Sequence, residues 1–393
     1  MLKQIEGSQA VAQTVAACRP DVICAYPISP QTHIVEALDD LVRKGKLGNA
    51  EFINVESEFS AMSVAIGSSA AGARVYTATA SQGLLFMVEA VYNASGLGLP
   101  IVMTVANRAI GAPINIWNDH SDAMSQRDSG WIQLYAQDNQ AAADLHVLAF
   151  KLAELVSLPV MVCMDGFVLT HAMEQIDVVE VEQADQFLTA FVPVQQLDVE
   201  QPLSIGAMVG PEAFTEVRYL AHKKQQEALA AIPGLSDEFE KVFGRRAAGP
   251  DDSQGLVTKY QSDGKETVVV ALGAAIGTIE DVVDEMTADG FSIGVLGITA
   301  FRPFPAAAIR EALSGAKRVV VFERALAAGI GGVIDPEIRS AMAGLQYEQY
   351  NVVGGLGGRP ITRKSLREML ESAVAGELKP FSFLDLKKEM ITK

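Results

Sequence analysis

Three short polar segments carry the residue types that could do chemistry in this chain. Tyr26-Pro27-Ile28-Ser29-Pro30 offers a hydroxyl, Glu56-Ser57-Glu58 two carboxylates, and Asn107-Arg108 a guanidinium. A carboxylate can hold or pass on a proton, and the planar fork of Arg suits a carboxylate ligand bidentately in a way that Lys does not. Each segment follows a short run rich in Val and Ile: Val22–Ala25, Phe52–Val55 and Ile101–Ala106. If those runs are parallel strands, the three segments converge at their carboxyl ends, where open α/β sheets bind ligands.

Other chemistries find no support. Gly273-Ala-Ala-Ile-Gly277 lacks the Lys-Ser/Thr of a phosphate loop, and neither Gly329-Ile-Gly331-Gly332 nor Gly354-Gly355-Leu-Gly357-Gly358 completes a dinucleotide fingerprint, so tight turns are expected there. The densest polar cluster, Asn118-Asp119-His120-Ser121-Asp122, matches no zinc spacing and reads as a solvated or interface loop; no metal site is expected. No G-x-S-x-G elbow supplies a hydrolase nucleophile. Cys18, Cys24 and Cys163 form neither a C-x-x-C pair nor a four-thiolate set, so any iron–sulfur cluster must sit on another chain.

The elements that position the polar segments alternate. Further strands are expected at Val75–Thr79 and Val160–Cys163, with helices capped by Ser57 and opened by Asn139 between strands. The strands read as continuous apolar runs, as in a parallel sheet covered by helices on both faces. From about 170 to 255 the sequence turns acidic, Gln-rich and Pro-broken, with one helical stretch near Glu212–Ile232, and is read as a long connection. A second, smaller α/β block follows from Thr267, with strands Val268–Leu272, Ile293–Leu296 and Arg318–Phe322 and helices Ile276–Asp289 and Pro305–Leu313. The expected division is 1–240 and 255–393.

A chain of 393 residues with 49% hydrophobic residues has ample material for such cores. Its net charge of −17 disfavours nucleic acid and anionic membranes, and no stretch is apolar enough to span a bilayer, so the expected location is cytoplasmic.

Over nearly its whole length the sequence resembles the α subunits of pyruvate:ferredoxin oxidoreductases. The resemblance rests on Tyr26-Pro-Ile-Ser-Pro-Gln-Thr, Val55-Glu-Ser-Glu-Phe-Ser-Ala-Met, Thr79-Ala-Ser-Gln-Gly, Ala106-Asn-Arg and Ala112-Pro-Ile-Asn-Ile-Trp-Asn-Asp-His. Arg127-Asp-Ser-Gly-Trp-Ile-Gln, Met164-Asp-Gly-Phe-Val-Leu-Thr-His, Phe301-Arg-Pro-Phe-Pro and Gly355-Leu-Gly-Gly-Arg extend it. It implies a pyrimidine-binding domain of a thiamine-diphosphate enzyme followed by a smaller transketolase C-terminal-like α/β domain. It further implies a complex that oxidatively decarboxylates a 2-oxoacid, passes the electrons to ferredoxin and forms an acyl-coenzyme A. A β subunit would hold the diphosphate and Mg²⁺, a ferredoxin-like δ subunit the [4Fe-4S] clusters, and a γ subunit would complete the set.

On matching positions the resemblance implies that Glu58 hydrogen-bonds the pyrimidine nitrogen and promotes the imino tautomer. Pro27, Ile28, Gln82 and Gly83 would also line the cofactor, while Arg108 and Ser29 would meet the substrate carboxylate. Two departures bear on substrate choice: Ser29 stands where Thr is common, and Phe59 where His is frequent. Pyruvate is the first expectation, with phenylglyoxylate or another bulkier 2-oxoacid as the alternative and a nicotinamide nucleotide, reached through a flavoprotein, as its final acceptor. A non-catalytic subunit whose acidic surface docks a redox partner is the reading from another class.

Overall fold

The computed structural model describes residues Leu2–Ile391. The first sheet has seven strands, in the order Ala300–Arg302, Ile132–Tyr135, Val160–Asp165, Ile101–Asn107, Val75–Thr79, Val22–Ala25 and Glu51–Asn54. All its pairings are parallel except that of Ala300–Arg302 with Ile132–Tyr135. The central strands are buried at every residue, which is why they read as unbroken apolar runs, whereas the edge strand Glu51–Asn54 is not.

The second sheet also has seven strands, in the order Phe381–Phe383, Glu348–Val353, Arg318–Glu323, Thr267–Ala271, Ile293–Ile298, Val257–Tyr260 and Asp252–Ser253, the last two antiparallel. Side chains alternate across it. Val268 and Val270 join the large core that continues into the first sheet, while Val269 and Ala271 face a separate core with Ile279 and Leu370. The molecule is therefore α/β, two parallel-rich sheets clothed by helices.

Several expectations need correction. The 170–255 stretch is not simply a connection: Met173–Asp177 pairs antiparallel with Leu2–Glu6, and a short helix spans Val181–Phe187. The helix expected to stop at Ile232 covers Phe214–Phe243 and runs through Pro233. Ala228, Ile232, Leu235, Phe239 and Phe243 recur on one buried face, and Phe187 packs edge-on against both phenylalanines, so tertiary burial overrides the proline. Asn139 opens the Asn139–Val156 helix as expected, and the residue before it, Asp138, is the cap, its Oδ1 accepting the Ala141 N–H at 2.7 Å. Among the described residues no helix is long and apolar enough to cross a membrane.

Candidate active site

Glu58 opens the Glu58–Ala70 helix, where the Ser57 hydroxyl accepts the Ser60 N–H at 3.2 Å and fixes the entry of the chain. Its side chain turns inward and is only 8% exposed. The space it takes is left by Gly83: a Cβ there would lie 2.7 Å from Glu58 Oε1 and 2.6 Å from Thr79 Oγ1. No hydrogen-bond partner of the Glu58 carboxylate is found among the described residues. A buried carboxylate normally recruits donors, so the acceptor capacity of this one is left unused among the described residues.

Arg108 leaves the end of the Ile101–Asn107 strand and is also buried, and burial lowers its pKa while Asp122 acts against that. Nη1 donates to the Ser29 carbonyl at 2.9 Å and Nε to the Asn115 carbonyl at 3.1 Å. The contact with Ser29 is thus made by the backbone; the Ser29 hydroxyl has no hydrogen-bond partner among the described residues and lies exposed. The loop that carries it is pinned by buried Gln31, whose amide donates to the carbonyls of Tyr26 (3.2 Å) and Ala78 (2.8 Å). Pro27 is exposed and Ile28 half-buried on the same loop, neither engaging Glu58 or Arg108 by a hydrogen bond. Gln82 takes a hydrogen bond from Ser81 and packs against Gly111.

Asp122 ties these pieces together. Its fully buried carboxylate accepts the N–H groups of Ser81 and Arg108 (both 2.9 Å), that of Ala123 (2.8 Å) and the Asn107 amide (2.8 Å). Burial still pushes its pKa up to about 6. Asp122 therefore sets the spacing between the Ser81–Gly83 turn that receives Glu58 and the backbone that launches Arg108.

The 118–122 run is not solvated, as one sequence reading had it, but forms the contact between the two halves of the chain. Asp165 Oδ1 accepts Arg324 Nη1 at 2.6 Å and both His120 Nε2 and Asn118 Nδ2 at 3.0 Å, while Oδ2 accepts the Ala274 N–H at 2.7 Å. Burial alone would raise this carboxyl, yet Arg324 and His120 hold it well below the usual carboxylate range. Gly273, at φ +72°, is required here, because a Cβ would come 2.6 Å from Asp165 Oδ2 and 2.8 Å from His120 Nε2.

The other glycine-rich stretch buttresses the arginine. Gly357 N–H donates to Asp119 Oδ2 at 2.9 Å, and its carbonyl accepts Asn115 Nδ2 at 3.1 Å. Asn115 in turn receives Arg108, so the second half of the chain steadies the Arg108 guanidinium through a single intermediary. Asp122, Asp165, Arg324 and Asn115 were missed as site-building residues; for Asp165 and Arg324 the available signal was a strongly polar side chain at the end of a buried strand, while Asp122, in a short helix, and Asn115, in a loop, offered none.

Phe59 points outward, 37% exposed, beside Phe86, with ring centroids 6.4 Å apart, so it does not pack the core. Tyr26, Tyr92, Ile114 and Trp117 are likewise exposed, several of them neighbours in sequence of the site residues.

A carboxylate with no donor among the described residues and a guanidinium lie together at the strand ends of this sheet, and the comparisons place such a sheet in a subunit of a thiamine-diphosphate-dependent enzyme. A family model described as pyruvate flavodoxin/ferredoxin oxidoreductase, thiamine diphosphate-binding, matches residues 13–234, and one described as pyruvate:ferredoxin oxidoreductase core domain II matches residues 265–366. The chain belongs to the pyruvate:ferredoxin oxidoreductase family, as an α subunit of a multi-subunit 2-oxoacid oxidoreductase.

Pyruvate synthase subunit PorA of Methanosarcina barkeri is 46% identical, the match covering 98% of this chain and 97% of that protein. Its counterpart from Thermotoga maritima is 42% identical over 95% of each chain. Ketoisovalerate oxidoreductase subunit VorA of Pyrococcus horikoshii is 36% identical, covering 94% of this chain and 93% of that one. Among solved structures, a 2-oxoglutarate:ferredoxin oxidoreductase from Magnetococcus marinus, with 2-oxoglutarate, coenzyme A and succinyl-CoA bound, shares the fold with a TM-score of 0.69 at 19% identity. The match covers 96% of this chain and 65% of that one.

Proposed function

We propose that this chain supplies the pyrimidine-side half of the active site in a pyruvate:ferredoxin oxidoreductase, CoA-acylating and active only as a complex. The observation that carries the reading is Glu58: a buried carboxylate without donors among the described residues, seated against a glycine that makes room for it. Both features fit an aminopyrimidine whose ring nitrogen needs a carboxyl partner. Thiamine diphosphate, when bound, supplies the carbon acid that takes up the 2-oxoacid and stabilises the charge left by loss of CO₂.

Within that chemistry Glu58 holds a proton at its carboxylate oxygen and shares it with the pyrimidine nitrogen, a step worth roughly 10²–10⁴ in rate. The Ser81–Gly83 turn fixes the distance between Glu58 and the cofactor, with Gln82, Pro27 and Ile28 as flanking contacts. Arg108 orients the substrate carboxylate; the unshared edge of its guanidinium remains for a ligand, since Nε and Nη1 already bind carbonyls. Ser29 sits at the substrate end of the same loop.

Pyruvate is the first substrate because the PorA proteins lead the similarity, with a branched or aryl 2-oxoacid kept open by the VorA relative and by Ser29. Residues 1–240 would form the cofactor-side unit and 255–393 its buttress. A β subunit holding the diphosphate and Mg²⁺ would cover the exposed Phe59, Phe86 and Trp117; a γ subunit and a ferredoxin-like δ subunit would complete the complex. The three unpaired, buried cysteines accord with a reducing, cytoplasmic setting.

The deciding experiment is Glu58→Gln in the assembled enzyme, read by 2-oxoacid-dependent ferredoxin reduction and by calorimetric thiamine diphosphate binding. Retained binding with turnover reduced by at least 10²-fold is expected. Full turnover would favour a docking subunit instead.

A further inference from the structure

Away from Glu58 and Arg108, three side chains from distant parts of the chain converge. Glu6 ends the Leu2–Glu6 strand, His33 lies in the first turn of the Thr32–Arg43 helix, and His171 lies in the turn after Val160–Asp165. One ligand-capable atom of each lies within 4.8 Å of the other two, and all three residues are half-buried. Glu6 Oε1 is 2.7 Å from His33 Nδ1, and the two imidazole rings face each other with centroids 4.5 Å apart. No short sequence spacing joins these positions, which is why the chain reads as metal-free from its motifs.

Two facing imidazoles beside one carboxylate gain little as a plain ion pair, because only one ring can take a full charge without repelling the other. An uncharged imidazole carries one ring lone pair that an ion can take. The second ring nitrogen is already engaged: His171 Nδ1 lies 2.7 Å from the hydroxyl of buried Thr170, which also accepts the Phe167 N–H at 2.8 Å. An outer hydrogen bond of this kind is how ligating imidazoles are oriented, leaving Nε2 for an ion. Phe167 packs 4.9 Å from the His171 ring and Trp117 4.9 Å from Phe167, giving the cluster an apolar flank.

We propose that Glu6, His33 and His171 form a binding site for a divalent transition-metal ion of the zinc type. Two nitrogens and one carboxylate oxygen suit such an ion and not Mg²⁺ or Ca²⁺, which prefer oxygen ligands, and three protein ligands leave a fourth position for water. The ion would bolt together the N-terminal strand, the helix that follows the Tyr26–Gln31 loop, and the turn whose Gly166 abuts Pro30, where a Cβ would come within 2.4 Å of the ring. It is thus a structural cross-link behind the loop that carries Ser29.

The test is calorimetric titration of the metal-stripped full-length chain with Zn²⁺, and with Mg²⁺ as comparison, followed by Co²⁺ substitution and visible spectroscopy. One Zn²⁺ per chain is expected, with a higher thermal midpoint, no matching Mg²⁺ binding, and Co²⁺ bands of a low-coordinate nitrogen-ligated site. His171→Ala and His33→Ala should each weaken binding by more than the roughly 10–100-fold that loss of an outer hydrogen-bond partner costs. His222→Ala, at an exposed lone histidine, should leave it unchanged. Should the histidine variants fail to fold, Glu6→Gln decides, since it keeps the size of the side chain and removes the anionic ligand. Absence of Zn²⁺ binding, equal binding of Mg²⁺, or wild-type affinity in the folded His171 or Glu6 variant would overturn the site.

Discussion

Glu58 and Glu323 are both buried glutamates at the carboxyl ends of parallel-rich sheets, one in each half of the molecule, and they are treated in opposite ways. Glu323 ends the Arg318–Glu323 strand, 2% exposed, and its carboxylate accepts the N–H groups of Val333 (2.6 Å), Ile334 (2.8 Å) and Asp335 (3.2 Å) as well as the Asn351 amide. Burial raises its pKa while those donors lower it. Glu58 is nearly as buried and has no such cage. Burial alone therefore does not distinguish the two carboxylates; the count of donors around each does.

The sharpest way to break that comparison is to neutralise each carboxyl in turn. Glu58→Gln should cost turnover, roughly 10²–10⁴-fold, with the thermal midpoint of the chain little changed. Glu323→Gln should do the reverse, because its amide group turns a donor toward N–H groups that need an acceptor, at about 1–3 kcal/mol for each group left unpaired. Denaturant unfolding and steady-state kinetics on both variants check the pair; equal loss of stability in the two would erase the distinction.

Arg108→Ala extends the test to the cationic side of the site. It should weaken 2-oxoacid binding by about 2–5 kcal/mol, seen as a raised KM, since the substrate carboxylate loses its buried partner. Saturation kinetics identical to those of the unaltered enzyme would make Arg108 a purely structural clamp on the Ser29 and Asn115 carbonyls.

A titratable group that hydrogen-bonds neither Glu58 nor Arg108 supplies a control. His146 is fully buried between Thr104 Oγ1 at 2.5 Å and the Ala142 carbonyl at 2.6 Å, and burial lowers its pKa from 6.5 to about 4. The unfolded chain binds this proton more readily than the folded one between those values, so stability rises with pH across the window and is lost as pH falls through it. The loss is on the order of 3 kcal/mol at most, and a His146→Gln variant should flatten that part of a stability–pH curve. Asp122, raised to about 6, has the opposite sign: it disfavours the folded state as pH climbs from about 4 to 6.

The smallest expected effect is at Ser29. Ser29→Thr adds one methyl where the Tyr26–Gln31 loop meets Arg108 and should tilt the kcat/KM ratio toward pyruvate over an aryl 2-oxoacid by about 1–3 kcal/mol. Parallel changes for both acids would place residue 29 outside the side-chain pocket.

The parts of this structure legible in the sequence are those governed by local periodicity. Val22–Ala25 and Val75–Thr79 were bounded correctly to the residue, and Ser57 was identified as a helix cap, because apolar runs and caps act within a few residues. Pairings across long separations were not legible. Nothing within residues 2–6 announces a partner at 173–177, and Pro233 signals a helix end that only the burial of Phe239 and Phe243 cancels. At the site, Glu58 and Arg108 stood out through resemblance and residue type, whereas the Asp165–Arg324 contact, 159 positions apart, needed three dimensions.

The short strand Ala300–Arg302 has a consequence for synthesis. It closes the edge of the first sheet beside Ile132–Tyr135, so a nascent chain that has delivered every other strand of that sheet by Asp165 still presents an open edge. Some 135 further residues must emerge before the missing strand arrives. At roughly 5–20 residues per second of translation, that edge stays unprotected for several seconds or longer, a span in which chaperones or neighbouring nascent chains can reach it. Two polypeptides divided between the halves would inherit the same hazard permanently unless they assembled at once.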